Sequence, residues 1–280
     1  MTAASLKRAL PAPVRQAART AYETVRGSLV DAAEWATGRR RPLTPPRRLW
    51  HLIGSGRMDF HGSGDLLRVF LIDEGLKPDD HVLDVGCGLG RMAVALTGYL
   101  SPRGRYDGFD IMPAVICWCR TITAAHPNFR FQLVDVGSQR YRKGGAAAAS
   151  TFVFPYPDDT FDLVFLGSVF THMLPTDMRN YLGEVARVMK PGGKAVISYY
   201  LINPERRAEI EKGGGVLSFR HRGDGYWAEA ADLPEAAIAY DNDEILGLFE
   251  ANGLDLAARY DGQWPTQPLH SQDVLIARKR

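Results

Sequence analysis

Apolar positions in the middle of the chain follow two alternating patterns. Segments with apolar residues three and four positions apart, such as GDLLRVFLIDEGL at 64–76, predict helices, because those positions share one helix face. Short apolar runs such as HVLDVG at 81–86 and FDLVFLGS at 161–168 predict buried strands. Five such strands separated by helices, up to KAVISYYLI at 194–202, predict a parallel sheet with helices on both faces.

The two ends of the chain depart from this rhythm. Residues 13–36 place apolar side chains at helical spacing and predict an amphipathic helix: Val14, Ala18, Ala21, Tyr22, Val25, Leu29 and Ala32. TGRRRPLTPPRR at 37–48 is a linker, because proline cannot donate a helix hydrogen bond. Residues 203–240 are irregular, 242–252 form a helix, and two final strands run antiparallel at the sheet edge. We therefore expect an extension over 1–48 and one domain over 49–280, with a substrate-binding insertion around 203–240.

Composition places the chain among globular proteins. Its 45% hydrophobic and 24% charged residues do not indicate disorder, and no apolar run approaches the roughly 20 residues of a membrane span. Three cysteines without a disulfide spacing, and no signal-peptide pattern, favour the cytoplasm. The pair at 117 and 119 lacks a second ligand pair, so we expect no metal.

The overall charge of +2 hides an asymmetry. Residues 1–50 carry ten Lys or Arg against three acidic residues, a net charge of +7, which leaves −5 on the rest of the chain. We expect a solvated, partly helical extension that packs near the mouth of the site. Peripheral contact with an anionic membrane through this basic N-terminus is the alternative, and nucleic acid is not an expected partner.

VLDVGCGLGR at 82–91 places glycines where a first strand passes into a helix. Glycine there permits close approach of a ligand to the backbone, and open parallel sheets bind ligands at the carboxyl ends of their strands. The spacing Gly86, Gly88, Gly90 differs from the dinucleotide pattern G-x-G-x-x-G. The glycines alone leave a dinucleotide open as a ligand.

Five ordered segments resemble the motifs of class I S-adenosylmethionine-dependent methyltransferases: VLDVGCGLGR, YDGFDI, FQLVDV, FPYPDDTFDLVFLGSVFTHM and LGEVARVMKPGGKAVIS. The resemblance covers about 65–201 closely and the closing strands loosely. It implies an α/β, Rossmann-like fold with a seven-stranded, mostly parallel sheet whose last strand is antiparallel. It also implies S-adenosylmethionine as cofactor.

The resemblance assigns cofactor roles by position. Asp84 helps hold the amino-acid end, with capping of the turn as its structural alternative, and Asp110 accepts the ribose hydroxyls. Asp135 and Val136 lie where the family binds the adenine amino group. The remaining candidate cofactor residues are Gly86, Cys87, Gly88, Gly90, Ile111, Met112 and Ser168.

His172 follows the fourth strand in GSVFTHMLP, where several O-methyltransferases of the family carry a general base. Its structural alternative is a histidine that orients the loop. The family's N-P-P-Y-type sequence of amine-methylating members is absent there. We therefore expect methylation of a hydroxyl on a small molecule or glycosyl group. The alternatives are a lipid or lipid-linked glycan at a membrane surface, N- or C-methylation, a non-catalytic binding module, and an NAD-dependent dehydrogenase.

The acceptor is expected to contact the variable parts of the chain, where aromatic and polar side chains suit a polar ring. The candidate substrate residues are His221, Tyr226, Trp227, Tyr240, Trp264 and His270.

Overall fold

The computed structural model describes residues 12–53, 59–212, 217–263 and 272–280. The helices are α1 Ala12–Ala36, α2 Phe60–Asp73, α3 Arg91–Leu96, α4 Pro113–Ala125, α5 Pro175–Val188, α6 Pro204–Glu211 and α7 Asn242–Ala251. The strands are β1 His81–Val85, β2 Arg105–Asp110, β3 Phe129–Leu133, β4 Phe161–Leu166, β5 Met189–Tyr199, β6 Leu201–Ile202, β7 His221–Gly223, β8 Tyr226–Ala228, β9 Ile238–Asp241, β10 Leu254–Tyr260 and β11 Asp273–Lys279.

Seven strands form the main sheet, in the order β10-β11-β5-β4-β1-β2-β3. Strands β1 to β5 pair in parallel, whereas β11 runs antiparallel to both β5 and β10. The predicted Rossmann-like sheet with an antiparallel last strand is thus confirmed. The chain adds β2 and β3 on one side of β1 and β4 and β5 on the other, so the strand order reverses between β1 and β4. The connections after these two strands run to opposite sides and leave a crevice at their carboxyl ends.

Two hydrophobic layers cover the sheet, one on each face. Alternation along β1 separates them: Val82 packs in the layer of α2, α3 and α4, while Leu83 packs in the layer of α5 and α7. Both side chains are fully buried, as both faces of a parallel sheet normally are.

The N-terminal segment forms the predicted helix and packs on the domain through a 3₁₀ turn, Arg47–Ile53. Trp50 of that turn joins a small buried cluster with Phe60, Leu89 and Val115. Leu89 belongs to the glycine-rich turn after β1, so the extension reaches the site. Among the described helices none is long and apolar enough to cross a bilayer.

Residues 203–240 are more ordered than the sequence pattern predicts. They contain α6 and the strands β7, β8 and β9, which form a second sheet in the order β6-β9-β8-β7. These strands are only three or four residues long, too short for the alternation of apolar and polar positions to be recognised in sequence.

A buried ion pair joins this region to strand β11 of the main sheet. Arg206 of α6 donates to both oxygens of Asp273 at 2.7 and 2.6 Å, and Asp273 is fully buried. The backbone N–H groups of Leu201 and Gly262 donate to the same carboxylate. The pair therefore fixes where the second sheet begins.

Replacement of Asp273 by Ala should lower the free energy of unfolding by about 3–5 kcal/mol, because it leaves a buried guanidinium without its main counter-charge. Urea denaturation measures the change. Asp261→Ala is the matched control, since Asp261 is exposed and pairs with Arg259 at the surface, and it should cost about 1 kcal/mol or less. Equal losses in the two variants would contradict the role of the buried pair.

Candidate functional site

A cavity of about 330 Å³ lies at the carboxyl ends of the central strands. Its walls come from the turn after β1, the end of β2, the loop 136–141, the segment after β4 and the 3₁₀ turns at 47–53 and 234–236. The site is therefore assembled from segments far apart in the chain.

The turn after β1 has left-handed backbone at Gly86, with φ of 69°, and at Gly88, with φ of 53°. A Cβ on Gly86 would lie 2.8 Å from the Val169 side chain, so a larger residue would collide with the segment after β4. This close approach keeps the backbone of the turn at the cavity wall. Of the candidate cofactor residues in this turn, Gly86, Cys87 and Gly88 line the wall, whereas Gly90 caps the start of α3.

Asp110 holds this turn from the neighbouring strand. Its carboxylate accepts from the Gly88 N–H at 3.0 Å and from the Met112 N–H at 2.9 Å. Burial nevertheless raises the pKa of Asp110 above its usual value. A carboxylate offers about four acceptor positions, so Asp110 can accept from a ligand as well as from these backbone groups. Asp110, Ile111 and Met112 all line the cavity, where they were predicted to bind the cofactor.

Asp84 also lines the cavity, at the end of β1. The hydroxyl of Tyr106, a fully buried residue, donates to its carboxylate. Burial raises the pKa of Asp84 to about 7, opposed by that hydrogen bond and by the nearby Arg91 charge. A cationic ligand group placed beside Asp84 would therefore favour its ionised form.

The structure separates the two residues predicted for the adenine amino group. Val136 lines the cavity, but Asp135 does not. The Asp135 side chain is exposed and pairs with Arg142 at 2.8 Å. Adjacent side chains in extended backbone point to opposite sides, so the buried Val136 turns Asp135 outward. Ser168 lines the cavity with φ of 60° and donates to Gln272 at 3.0 Å.

His172 lies in the 3₁₀ turn Phe170–His172 after β4 and lines the same cavity. Its Nδ1 lies 3.0 Å from the backbone oxygen of Glu235. A carbonyl only accepts hydrogen bonds, so Nδ1 carries the proton and Nε2 keeps a lone pair. Burial, and then the charge of Arg140, lower the pKa of His172 to about 4. The ring is therefore neutral near pH 7.

Glu235 joins the segments around His172. Its carboxylate accepts from the Ser138 hydroxyl at 2.7 Å and from the Arg140 N–H at 3.2 Å, while its backbone oxygen accepts from His172. Tyr141 in the same loop contacts the His172 ring edge-on at 5.6 Å between centroids. The loop 137–150 therefore forms part of the site.

None of the described residues predicted to bind substrate lines the cavity. Tyr240 is fully buried, and its hydroxyl donates to the backbone oxygens of Phe170 and Met173, so it holds the turn that carries His172. Trp227 packs under two arginines and Tyr226 lies half-buried in the second sheet. His221 is exposed on β7. Trp264 and His270 lie outside the described residues.

The cavity instead has a wall that the sequence interpretation missed: Ser138, Arg140, Tyr141, Met173, Asp177, Tyr181 and Glu235. The one sequence signal for it was an aromatic between two arginines, RYR at 140–142, in a loop otherwise rich in Gly and Ala. The described residues contain no group of three or more His, Cys, Asp or Glu arranged for a metal ion.

Comparison with known proteins agrees with this geometry. Residues 83–197 match the family model described as "Methyltransferase domain". The probable methyltransferase ltbC of Aspergillus luteorubrus is 36% identical over 119 residues, which are 42% of this chain and 39% of that protein. Demethylmenaquinone methyltransferase of Symbiobacterium thermophilum is 29% identical over 129 residues, 46% of each chain. This chain thus spans less than half the length of the curated relatives it matches.

A solved structure shares the fold. The crystal structure of a SAM-dependent methyltransferase from Methanosarcina mazei superposes with a TM-score of 0.51 at 20% identity, over 75% of this chain and 96% of that one. At this identity the likeness concerns the fold alone.

Asp84→Asn should remove a pH dependence of folding. A carboxyl whose pKa rises from 3.8 to about 7 on folding stabilises the fold below pH 3.8 and loses that contribution as the pH rises through 7. Between pH 5 and 8 the free energy of unfolding should therefore fall by about 2–3 kcal/mol more in the unmodified protein than in the variant. Urea denaturation at both pH values measures it. Asp255→Asn, at an exposed surface pair, is the control and should leave the pH dependence unchanged; an identical dependence in all three proteins would contradict the raised pKa.

Proposed function

We propose that this chain methylates a hydroxyl-bearing aromatic small molecule, with His172 as general base. The premise is that residues 83–197 form an S-adenosylmethionine-dependent methyltransferase domain. One observation carries the proposal: His172, with Nε2 available as a proton acceptor, lines the cavity that the glycine turn also lines.

The residues of the cavity fit the methyl donor. The backbone of Gly86 and Gly88 would lie along its amino-acid part, beside the Asp84 carboxyl, which would receive the ammonium group. Asp110 would accept ribose hydroxyls in addition to its backbone donors, and the apolar Met112 and Val136 would cover the adenine. When bound, S-adenosylmethionine supplies an electrophilic methyl carbon on a positively charged sulfur.

The chain's own task is to position the acceptor and remove its proton. Positioning alone lowers barriers by roughly 7–11 kcal/mol in favourable systems. His172 takes the acceptor proton at Nε2 while Glu235 holds Nδ1–H, and the low pKa then returns that proton readily to solvent. Burial, and then the Glu235 carboxylate, raise the pKa of Asp177. Asp177 lines the cavity, where it would bind a second polar group of the acceptor.

The pKa of His172 favours an acidic acceptor. A base whose conjugate acid has a pKa of about 4 has little driving force to deprotonate a sugar alcohol, and more for an aromatic hydroxyl. The walls agree with a planar ring, since Phe109, Tyr141, Tyr181 and Met173 line the cavity. We therefore place the aromatic acceptor ahead of the glycosyl acceptor that the sequence also allowed.

Transfer to a ring carbon is the second candidate. The relative from Symbiobacterium thermophilum is named for demethylmenaquinone, a quinone. Removal of a proton from an aromatic hydroxyl spreads negative charge to the neighbouring ring carbon, so the same His172 would serve either atom. The position of the methyl group in the product, read by NMR, distinguishes the two.

His172→Ala should lower kcat by about 10²- to 10⁴-fold with methyl-labelled S-adenosylmethionine and dihydroxynaphthalene as acceptor, while the affinity for S-adenosylhomocysteine stays unchanged. His221→Ala is the matched control, since His221 is exposed and away from the cavity. With S-adenosylmethionine saturating, the kcat of the unmodified protein should fall as the pH drops through about 4, because His172 must be neutral to act. Equal turnover in His172→Ala and the unmodified protein would remove His172 from this role, and label on methyl glycosides alone would rule out the aromatic acceptor.

Asp110→Asn should weaken S-adenosylhomocysteine binding by about ten-fold or more, because the amide offers fewer acceptor positions to ribose hydroxyls and to the glycine turn. Isothermal titration calorimetry measures the dissociation constant. Asp135→Asn makes the same chemical change outside the cavity and should stay within about two-fold. If Asp135→Asn weakened S-adenosylhomocysteine binding more than Asp110→Asn, Asp135 would be assigned the adenine contact that the family resemblance implies.

A further inference from the structure

Helix α1 turns its apolar side to solvent, the reverse of the usual arrangement of a surface helix. We define the outer stripe as its exposed apolar positions at helical spacing: Val14, Ala18, Ala21, Tyr22, Val25, Leu29 and Ala32. Leu29 is 68% exposed, and Trp35, one turn after Ala32, is 81% exposed. No described residue covers these side chains.

The polar side of α1 faces the protein and fixes this orientation. A Cβ on the buried Gly27 would lie 2.5 Å from the backbone nitrogen of Arg48, so helix and turn are in direct backbone contact. Asp31 accepts from the Arg40 side chain at 2.7 Å and from the Arg47 N–H at 2.9 Å. Glu34 accepts from the Arg47 side chain at 2.8 Å. These bonds hold the outer stripe outward.

The same contacts separate the charges of the segment. Asp31 and Glu34 form ion pairs with Arg40 and Arg47 on the inner side of α1. Glu23 is the one further carboxylate in the sequence from 1 to 53. The exposed charged residues from 20 to 53 are therefore positive: Arg26, Arg39, Arg41 and Arg48. An exposed apolar stripe on a segment whose exposed charges are positive is complementary to an anionic lipid surface.

We propose that the outer stripe and these four arginines dock the protein on the surface of an anionic lipid bilayer, with α1 lying in the interface. A second copy of this chain is a poorer occupant, because a two-fold interface would bury the exposed arginines of both copies with few carboxylates of the segment left to pair with them. The proposal is independent of the chemistry of the cavity.

Docking through α1 would also bear on the cavity. The helix packs on the 3₁₀ turn Arg47–Ile53, and Leu52 and Ile53 of that turn line the cavity wall. The surface that docks and the wall that contacts the ligands are thus parts of one segment, so an acceptor dissolved in the bilayer would be close to the site.

The test is co-sedimentation of the full chain with vesicles of phosphatidylcholine alone and of phosphatidylcholine with phosphatidylglycerol. We expect at least about ten-fold tighter binding to the anionic vesicles, weakening with added salt. Val25→Gln with Leu29→Gln should lower that affinity by about ten-fold or more, and Arg26→Glu with Arg41→Glu should abolish the preference for anionic lipid. Val153→Gln is the matched control, since Val153 is 66% exposed and lies outside α1.

The affinity for S-adenosylhomocysteine should be the same in all these variants, which shows that they fold and separates this result from the proposed function. Equal binding to neutral and anionic vesicles, or unchanged binding of the stripe variant, would overturn the proposal. A dimer in light scattering that the stripe variant abolishes would overturn it too, and would assign the surface to a second copy.

Discussion

The contact between the glycine turn and the segment after β4 is the constraint on which the rest of the site depends. A Cβ at Gly86 would lie 2.8 Å from the Val169 side chain, so glycine lets the segments after β1 and β4 approach each other without a shift. Asp110 then fixes the turn from β2 by accepting two backbone N–H groups. Three parallel strands thereby deliver backbone, carboxylates and a histidine to one crevice, as the carboxyl edge of such a sheet permits.

The protonation states of this crevice follow from its burial. Removal from water raises the pKa of Asp84 to about 7 and lowers that of His172 to about 4, since burial disfavours the charged form of either group. The two groups therefore differ in charge: Asp84 ionises readily beside a cation, whereas His172 stays neutral and can accept a proton. At neutral pH and above, burial of the Asp84 carboxylate lowers the free energy of unfolding. The same burial strengthens the attraction of that carboxylate for a cationic ligand group.

The second sheet supports the site rather than lining it. Its strand β9 carries Tyr240, which holds the turn of His172, and the 3₁₀ turn before β9 carries Glu235, which fixes the tautomer of the same ring. The buried Arg206–Asp273 pair anchors the start of this sheet to strand β11, which lies between β5 and β10 in the main sheet. Tyr240, predicted to contact the substrate, instead positions the turn of His172, since its buried hydroxyl needs a hydrogen-bond partner and finds it in the backbone of that turn.

The sequence by itself determined the order of helices and strands along the chain, the position of the glycine turn and the placement of His172 after the fourth strand, because these depend on local periodicity and spacing. The order of the strands in the sheet came from the structure. Only the tertiary structure decided which side chains meet. It excluded Asp135 from the cavity by the direction of one side chain, and it brought in Glu235, 63 residues from His172. It also turned the apolar stripe of α1 outward. Periodicity shows that a helix has two faces, but the contacts of Gly27, Asp31 and Glu34 determine which face is buried.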